Sequence, residues 1–220
     1  MDEVTIRRRA DGATELRVNG VFVMDDVETS SERLLARSVV DSGAREVLVG
    51  GLGLGFTLRE LLSFDVSLVV VAELHGEIVD RMRDGTIAGA DLLDDPRTQV
   101  VVDDVRAVVA RQAPASLDAV LLDVDNGPDY LVHGANAAVY GSDFVATCAR
   151  SLRPSGRLSI WSMADSSSVR ARLAEHFQDV IVEAVDVQLQ GRDEHYWILT
   201  GLRPRRPPGH ANSDQSNSGI

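Results

Sequence analysis

Val47-Leu48-Val49-Gly50-Gly51-Leu52-Gly53-Leu54-Gly55 is the stretch that decides the fold. A strand-length apolar run enters a glycine-rich loop, and residues 56–62 follow with helical spacing. Glycines at such a junction let the chain turn tightly and let the backbone approach a ligand without side-chain interference. Alone, the loop is weak evidence, since a tight strand–helix turn would read the same way. The next strand, 67–72, ends at Glu73, twenty-two residues after Gly51. Doubly wound folds place an acid at about this separation to accept hydrogen bonds from ribose hydroxyls.

Outward from this unit the pattern alternates. Strands are expected at 46–50, 67–72, 99–102, 117–122 and 157–161, and helices at 56–62, 77–83, 105–112, 142–152 and 168–177. The unbroken apolar runs Leu68-Val69-Val70-Val71 and Ala119-Val120-Leu121-Leu122 suit a parallel sheet buried on both faces. Strand–helix alternation implies right-handed crossovers. Residues 180–187 and 195–200 would close as a hairpin around Gly191, adding an antiparallel strand. The expected fold is α/β, a doubly wound, mostly parallel seven-stranded sheet.

Upstream, 4–9, 14–18 and 21–24 read as short strands separated by Asp11-Gly12 and Asn19-Gly20 turns. Thr29-Ser30-Ser31-Glu32 has the form of a capping box and predicts a helix over 30–41. The chain therefore divides into a β extension (1–28), a nucleoside-binding domain (29–202) and a tail (203–220) that lacks core residues and is expected to be disordered.

With 34 acidic and 22 basic residues, the formal net charge of the 220-residue chain is −12. That sign disfavours a nucleic-acid partner and suits a cationic small substrate, although solubility alone explains it as well. The single cysteine, Cys148, excludes an internal disulfide or thiolate cluster and fits a buried thiol in a reducing cytoplasm. The amino terminus lacks an apolar signal segment, and apolar runs fall far below the ~20 residues of a membrane span. A cytoplasmic protein without a membrane partner is expected. No histidine has metal-ligand spacing, so no metal is expected. The exposed amino-terminal strands would allow two copies to pair as a homodimer.

Two further acids follow strands: Asp104, in Asp103-Asp104, and Asp123, with Asp125 close behind. Each alone could cap a helix or sit in a solvated turn. Together with the loop and Glu73 they arrive in phase at one sheet edge, where open α/β sheets bind ligands.

These residues carry a resemblance. Gly51 through Leu61 resembles the glycine motif of spermidine synthases, the polyamine aminopropyltransferases, within the class I S-adenosylmethionine-dependent methyltransferase fold. Residues 71–79 resemble their second motif, 95–106 their adenine-side motif, and 118–123 with Gly127-Pro128 their catalytic loop; Leu152-Arg153-Pro154-Ser155-Gly156-Arg157-Leu158 is similar to the wider fold. The resemblance covers roughly 18–161. It implies that Gly51, Gly53 and Gly55 line the methionine-derived chain of the donor and that Glu73 holds its ribose. Asp104 and the backbone at Val105 would meet the adenine, and Asp123 would orient or deprotonate an acceptor amine. Beside these roles, Asp125 and Tyr130 are candidate acceptor contacts, Asp125 being equally readable as part of an Asp-Asn-Gly turn and Tyr130 as packing. The donor would be decarboxylated S-adenosylmethionine or S-adenosylmethionine itself, and the acceptor a small amine, such as a polyamine.

The sequence departs from the pattern on the acceptor side. Leu54 stands where the family carries an acid that discriminates the decarboxylated donor, Ser30-Ser31-Glu32 replaces Tyr-His-Glu, and Asp125 is displaced by one position. A small-molecule methyltransferase and a non-catalytic nucleoside-binding protein therefore remain alternatives. Tyr130, His133 and Tyr140 lie in a covering loop where packing competes with acceptor contact. Trp161 reads as core or pocket wall, His195 and Trp197 as packing, and His75 as solvent-exposed.

Overall fold

Alternate residues of the central strands are buried on opposite faces. Val47, Val49, Val69, Val71, Ala119 and Leu121 join one apolar cluster, whereas Leu48, Val70, Ala72, Val120 and Leu122 join another. A sheet apolar on both faces must be covered on both. The computed structural model describes residues 2–40, 42–124, 127, 131, 134–189 and 192–206.

Three short strands, β1 (Val4–Arg8), β2 (Thr14–Val18) and β3 (Val21–Asp25), form an antiparallel sheet in the order β1-β2-β3. Helix α1 (Ser30–Val40) leads to β4 (Glu46–Gly50), α2 (Phe56–Leu62), β5 (Leu68–Glu73), α3 (Gly76–Arg83) and the short α4 (Ala90–Leu93). Next come β6 (Thr98–Val102), α5 (Val105–Ala110), β7 (Leu117–Leu122), a 3₁₀ helix (Gly134–Tyr140) and α6 (Ser142–Ser151). The chain then continues through β8 (Leu152–Ser162), α7 (Ser167–His176), β9 (Phe177–Leu189) and β10 (Arg192–Pro204).

The main sheet has the order β6-β5-β4-β7-β8-β10-β9. Strands β4 to β8 pair in parallel, and β10 lies antiparallel to both its neighbours. The chain moves from β4 to β5 and β6, then returns to the other side of β4 for β7. That reversal opens a crevice beyond the carboxyl ends of β4 and β7.

The expected seven-stranded sheet is present, and the bounds of β4, α2 and β7 agree residue for residue. Three features differ. Strand β8 begins at Leu152 because Leu152 pairs with Leu117, and a register shift between Leu117 and Ala119 absorbs the intervening turn. Strand β10 runs past the expected domain limit: Pro204 pairs with Phe177, and the side chains of Arg205 and Arg206 donate to the carbonyls of Phe177 and Leu152. Residues 203–206 thus belong to the fold, while Gly191 and 207–220 lie outside the described residues. Thirdly, Thr29-Ser30-Ser31-Glu32 does not form a capping box. Glu28 accepts from the Ser30 amide at 2.8 Å, and Glu32 turns inward, accepting from Ser31 Oγ at 2.7 Å.

The amino-terminal sheet is not an appendage. Leu16 and Val18 are buried in the same cluster as Leu52, Leu54 and Ile78, so this sheet lies over the glycine loop and covers the crevice.

Truncating Leu121, which is 0% exposed at the centre of the sheet, should cost about 2–5 kcal/mol. Val27→Ala, at a position 64% exposed, should stay within about 0.5 kcal/mol. Urea denaturation midpoints of the two variants check both values.

Candidate active site

The crevice is built first by the glycine loop. Gly51 has φ +95°, and a Cβ there would lie 2.2 Å from the Asp123 carbonyl oxygen, so the loops after β4 and β7 can approach this closely only at a glycine. A Cβ at Gly53 would meet Met24 Sδ at 2.6 Å, because β3 presses on the loop from above. Gly51 and Gly53 border the cavity. Gly55 does not: it sets the entry of α2 in a left-handed conformation, facing Met82 and Leu92.

Glu73 is 4% exposed at the end of β5. Its Oε2 accepts from the Leu52 amide and its Oε1 from the His75 amide, both at 2.8 Å. His75 is not solvent-exposed as expected. Its ring is half-buried, with Nδ1 3.4 Å from Glu73 and Nε2 3.2 Å from Asp2. Hydrogen bonding to Glu73, then to Asp2, raises its pKa against the opposing effect of burial.

Asp104 caps α5. Its carboxylate accepts from the Arg106 amide at 2.8 Å and pairs with the Arg106 guanidinium at 2.5 Å, which holds it below the usual carboxylate range. Both Asp104 and Val105 border the cavity. Asp125 and Tyr130 lie outside the described residues.

Asp123 follows β7 directly and its Oδ2 accepts from Thr57 Oγ1 at 2.8 Å. Burial pushes its pKa up to about 6, with the Thr57 hydrogen bond opposing. Glu32, 6% exposed, borders the same cavity from α1. Burial and then the Asp123 charge raise its pKa to about 7. Thr57 escaped the sequence reading because it looks like any helix residue; Glu32 was noticed only as the acid of the segment Ser30-Ser31-Glu32, and its inward turn was hidden by the local capping pattern.

The cavity has a volume of about 230 Å³. Its acidic lining residues are Asp25, Glu28, Glu32, Glu73, Asp104 and Asp123; neither Lys nor Arg lines it among the described residues. One end is walled by Trp161 and Tyr196, whose rings meet edge to face at 4.8 Å. Trp161 Nε1 is buried there without a hydrogen-bond partner among the described residues. Tyr140 is a packing residue whose hydroxyl donates to the Val124 carbonyl at 2.6 Å, and His195 pairs with Asp186 on the surface.

Residues 32–184 match the spermine/spermidine synthase domain. The chain belongs to the spermine/spermidine synthase family. It is 34% identical over 166 residues to the polyamine aminopropyltransferase of Mycobacterium tuberculosis, covering 72% of this chain and 30% of that protein. It is 35% identical over 128 residues to polyamine aminopropyltransferase 2 of Pseudomonas aeruginosa, covering 56% and 35%. The chain thus spans about a third of the length of these two relatives. Its fold is similar to that of a spermidine synthase in complex with the transition state analogue AdoDATO, with a TM-score of 0.77 at 19% identity over 92% of this chain and 70% of the other. Spermidine synthase from Thermotoga maritima gives 0.75 at 17% identity over 92% and 69%. At the place of the family's donor-discriminating acid, Leu54 is 5% exposed and packs into the apolar cluster.

Glu32 and Asp123 both have raised folded-state pKa values, so the native protein binds more protons than the unfolded chain between the ordinary carboxylate range and about 7. Their contribution to stability is complete below the unfolded pKa and is lost as pH rises through the folded values. Relative to the parent chain, Glu32→Gln should therefore lose less stability between about pH 5 and about pH 8. Urea midpoints at the two pH values check this.

Proposed function

We propose that this chain transfers an aminopropyl group from decarboxylated S-adenosylmethionine to a small diamine or polyamine. The observation that carries this reading is the charge of the cavity: six acidic side chains line it, with neither Lys nor Arg among its described lining residues. Such a site attracts a sulfonium and an ammonium and opposes the carboxylate of an intact methionine chain. Arg9 and Arg106 pair with Asp25 and Asp104, leaving Glu32, Glu73 and Asp123 without an arginine partner among the described residues.

In this reading Glu73 binds the ribose hydroxyls, held ready by the Leu52 and His75 amides. Asp104 and the backbone at Val105 border the adenine, while Gly51 and Gly53 give the donor's sulfonium arm room. Asp125 and Tyr130 are proposed acceptor contacts. The donor carries its own electrophilic carbon, so the protein has chiefly to align the reactants and remove a proton. An aliphatic ammonium has a pKa near ~10, so it must lose a proton before it can attack. Asp123 is the orienting and proton-accepting carboxylate. As the amine lone pair forms the new N–C bond, the C–S bond breaks and its electrons neutralise the sulfonium, releasing methylthioadenosine.

Leu54 favours one competing reading, methyl transfer from intact S-adenosylmethionine, since no acid there repels the donor carboxylate. Calorimetric titration separates the two. The decarboxylated donor should bind at least about tenfold tighter, a difference of ~1.4 kcal/mol, and the reverse order would favour methyl transfer. With the decarboxylated donor and a panel of diamines, methylthioadenosine should form, and Asp123→Asn should lower kcat by about 10²-fold or more. No product across the panel would reject aminopropyl transfer.

A further inference from the structure

We infer that Met24, brought from the amino-terminal sheet, decides which donor the site accepts. Its thioether fills the space over Gly53 and caps the Leu54 amide, so a carboxylate on the donor's sulfonium arm finds neither room nor a hydrogen-bond donor there. This rests on the aminopropyl-transfer reading for the placement of the donor. The filling of the loop rests on geometry alone.

In a regular strand successive side chains alternate between faces. Strand β3 departs from this. Met24 faces Leu16 and Phe22 faces Arg17 across β2, so the register shifts and Val23 is the extra residue of a bulge. A bulge re-aims the side chains beside it, and Phe22, Val23 and Met24 all border the cavity. The Met24 sulfur meets the glycine loop at two points. It accepts from the Leu54 amide at 3.3 Å, and a Cβ at Gly53 would lie 2.6 Å from it. Leu16, opposite Met24, is 1% exposed in the cluster that holds Leu52 and Leu54. The strand pair therefore cannot lift away without uncovering core.

The sheet order sets the ends of β6, β5, β4 and β7 side by side. With adenine at Asp104 and Val105 and ribose at Glu73, the sulfonium arm continues across the end of β4 towards Asp123. It passes the loop at Gly51 and Gly53, where Met24 lies. A carboxylate on that arm would need a partner, and neither Lys nor Arg lines the cavity among the described residues. The amides of Gly51, Leu52 and Gly55 are committed to the Ala72 carbonyl, Glu73 and the Leu52 carbonyl, each at 2.8 Å. The Leu54 amide has only a thioether from Met24, a weak acceptor that a carboxylate would outbid if the sulfur were not wedged against Gly53. An aminopropyl arm, lacking the carboxylate, asks nothing of this amide. The acidic lining repels the carboxylate's charge, whereas Met24 occupies its place.

Calorimetric titration of the full chain with S-adenosylmethionine and with its decarboxylated form tests this, because the two ligands differ in that carboxylate alone. Met24→Ala empties the space and frees the Leu54 amide. S-adenosylmethionine should then gain about tenfold in affinity relative to the decarboxylated form, the worth of one hydrogen bond to a charged group. Met24→Val, whose side chain suits a strand, should move the ratio the same way and serves where the alanine variant does not fold. Met24→Leu keeps the bulk and should hold the parent ratio within about threefold. A ratio unmoved in folded Met24→Ala, or in Met24→Val where alanine does not fold, would overturn the inference. So would a leucine variant as permissive as the alanine or valine one. A parent protein that binds S-adenosylmethionine the tighter, with the ratio still moving towards it in Met24→Ala, would remove the aminopropyl-transfer reading and leave the role of Met24 standing.

Discussion

The Glu73 carboxylate, held by the amides of Leu52 and His75, fixes the relation between the glycine loop and the end of β5. A carboxylate buried this deeply is tolerable only with hydrogen-bond donors at its oxygens. Here the donors are main-chain groups, so the acid and the backbone hold each other in place. The loop's shape then determines how closely the β7 end approaches, since Gly51 lies against the Asp123 carbonyl with no room for a side chain. Gly55 starts α2, which in turn carries Thr57 to Asp123.

The second constraint is electrostatic. Carboxylates gathered at one sheet edge repel one another and resist burial, and the fold answers differently at each position. Among the described residues Asp104 and Asp25 have guanidinium partners, Glu73 has amides and a histidine, and Glu32 and Asp123 accept from the hydroxyls of Ser31 and Thr57. Glu32 and Asp123 both border the cavity.

The amino-terminal sheet links these two features. Strand β2 buries Leu16 and Val18 in the main apolar cluster, Met24 of β3 sits on the glycine loop, and Asp2 reaches His75. A segment with little core of its own is ordered by the domain it covers, and it closes the cavity that the domain leaves open. The family resemblance lies chiefly in the α/β half, and the wall opposite that half is supplied by this short sheet and by Trp161 and Tyr196.

The strand periodicity, the glycine loop and the acids at strand ends were legible in the sequence because each depends on local chemistry: apolar runs for a two-sided sheet, left-handed turns for glycine, and polar residues where strands meet water. They were enough to place Gly51, Glu73, Asp104 and Asp123 at one edge. The burial of Glu32 was not legible, although the family resemblance marked its segment, because Thr29-Ser30-Ser31-Glu32 satisfies a helix-capping pattern locally and only the position of α1 against β7 turns the carboxylate inward. His75 was misjudged for the same reason, its partner Asp2 lying seventy-three residues away. The continuation of β10 to Pro204 also escaped, since arginines and prolines read as tail until Phe177 and Leu152 offer them carbonyls. The sequence by itself determined the order of elements and the edge at which chemistry gathers. The tertiary structure alone decided which charges are compensated there, because compensation depends on distances between segments that no local pattern encodes.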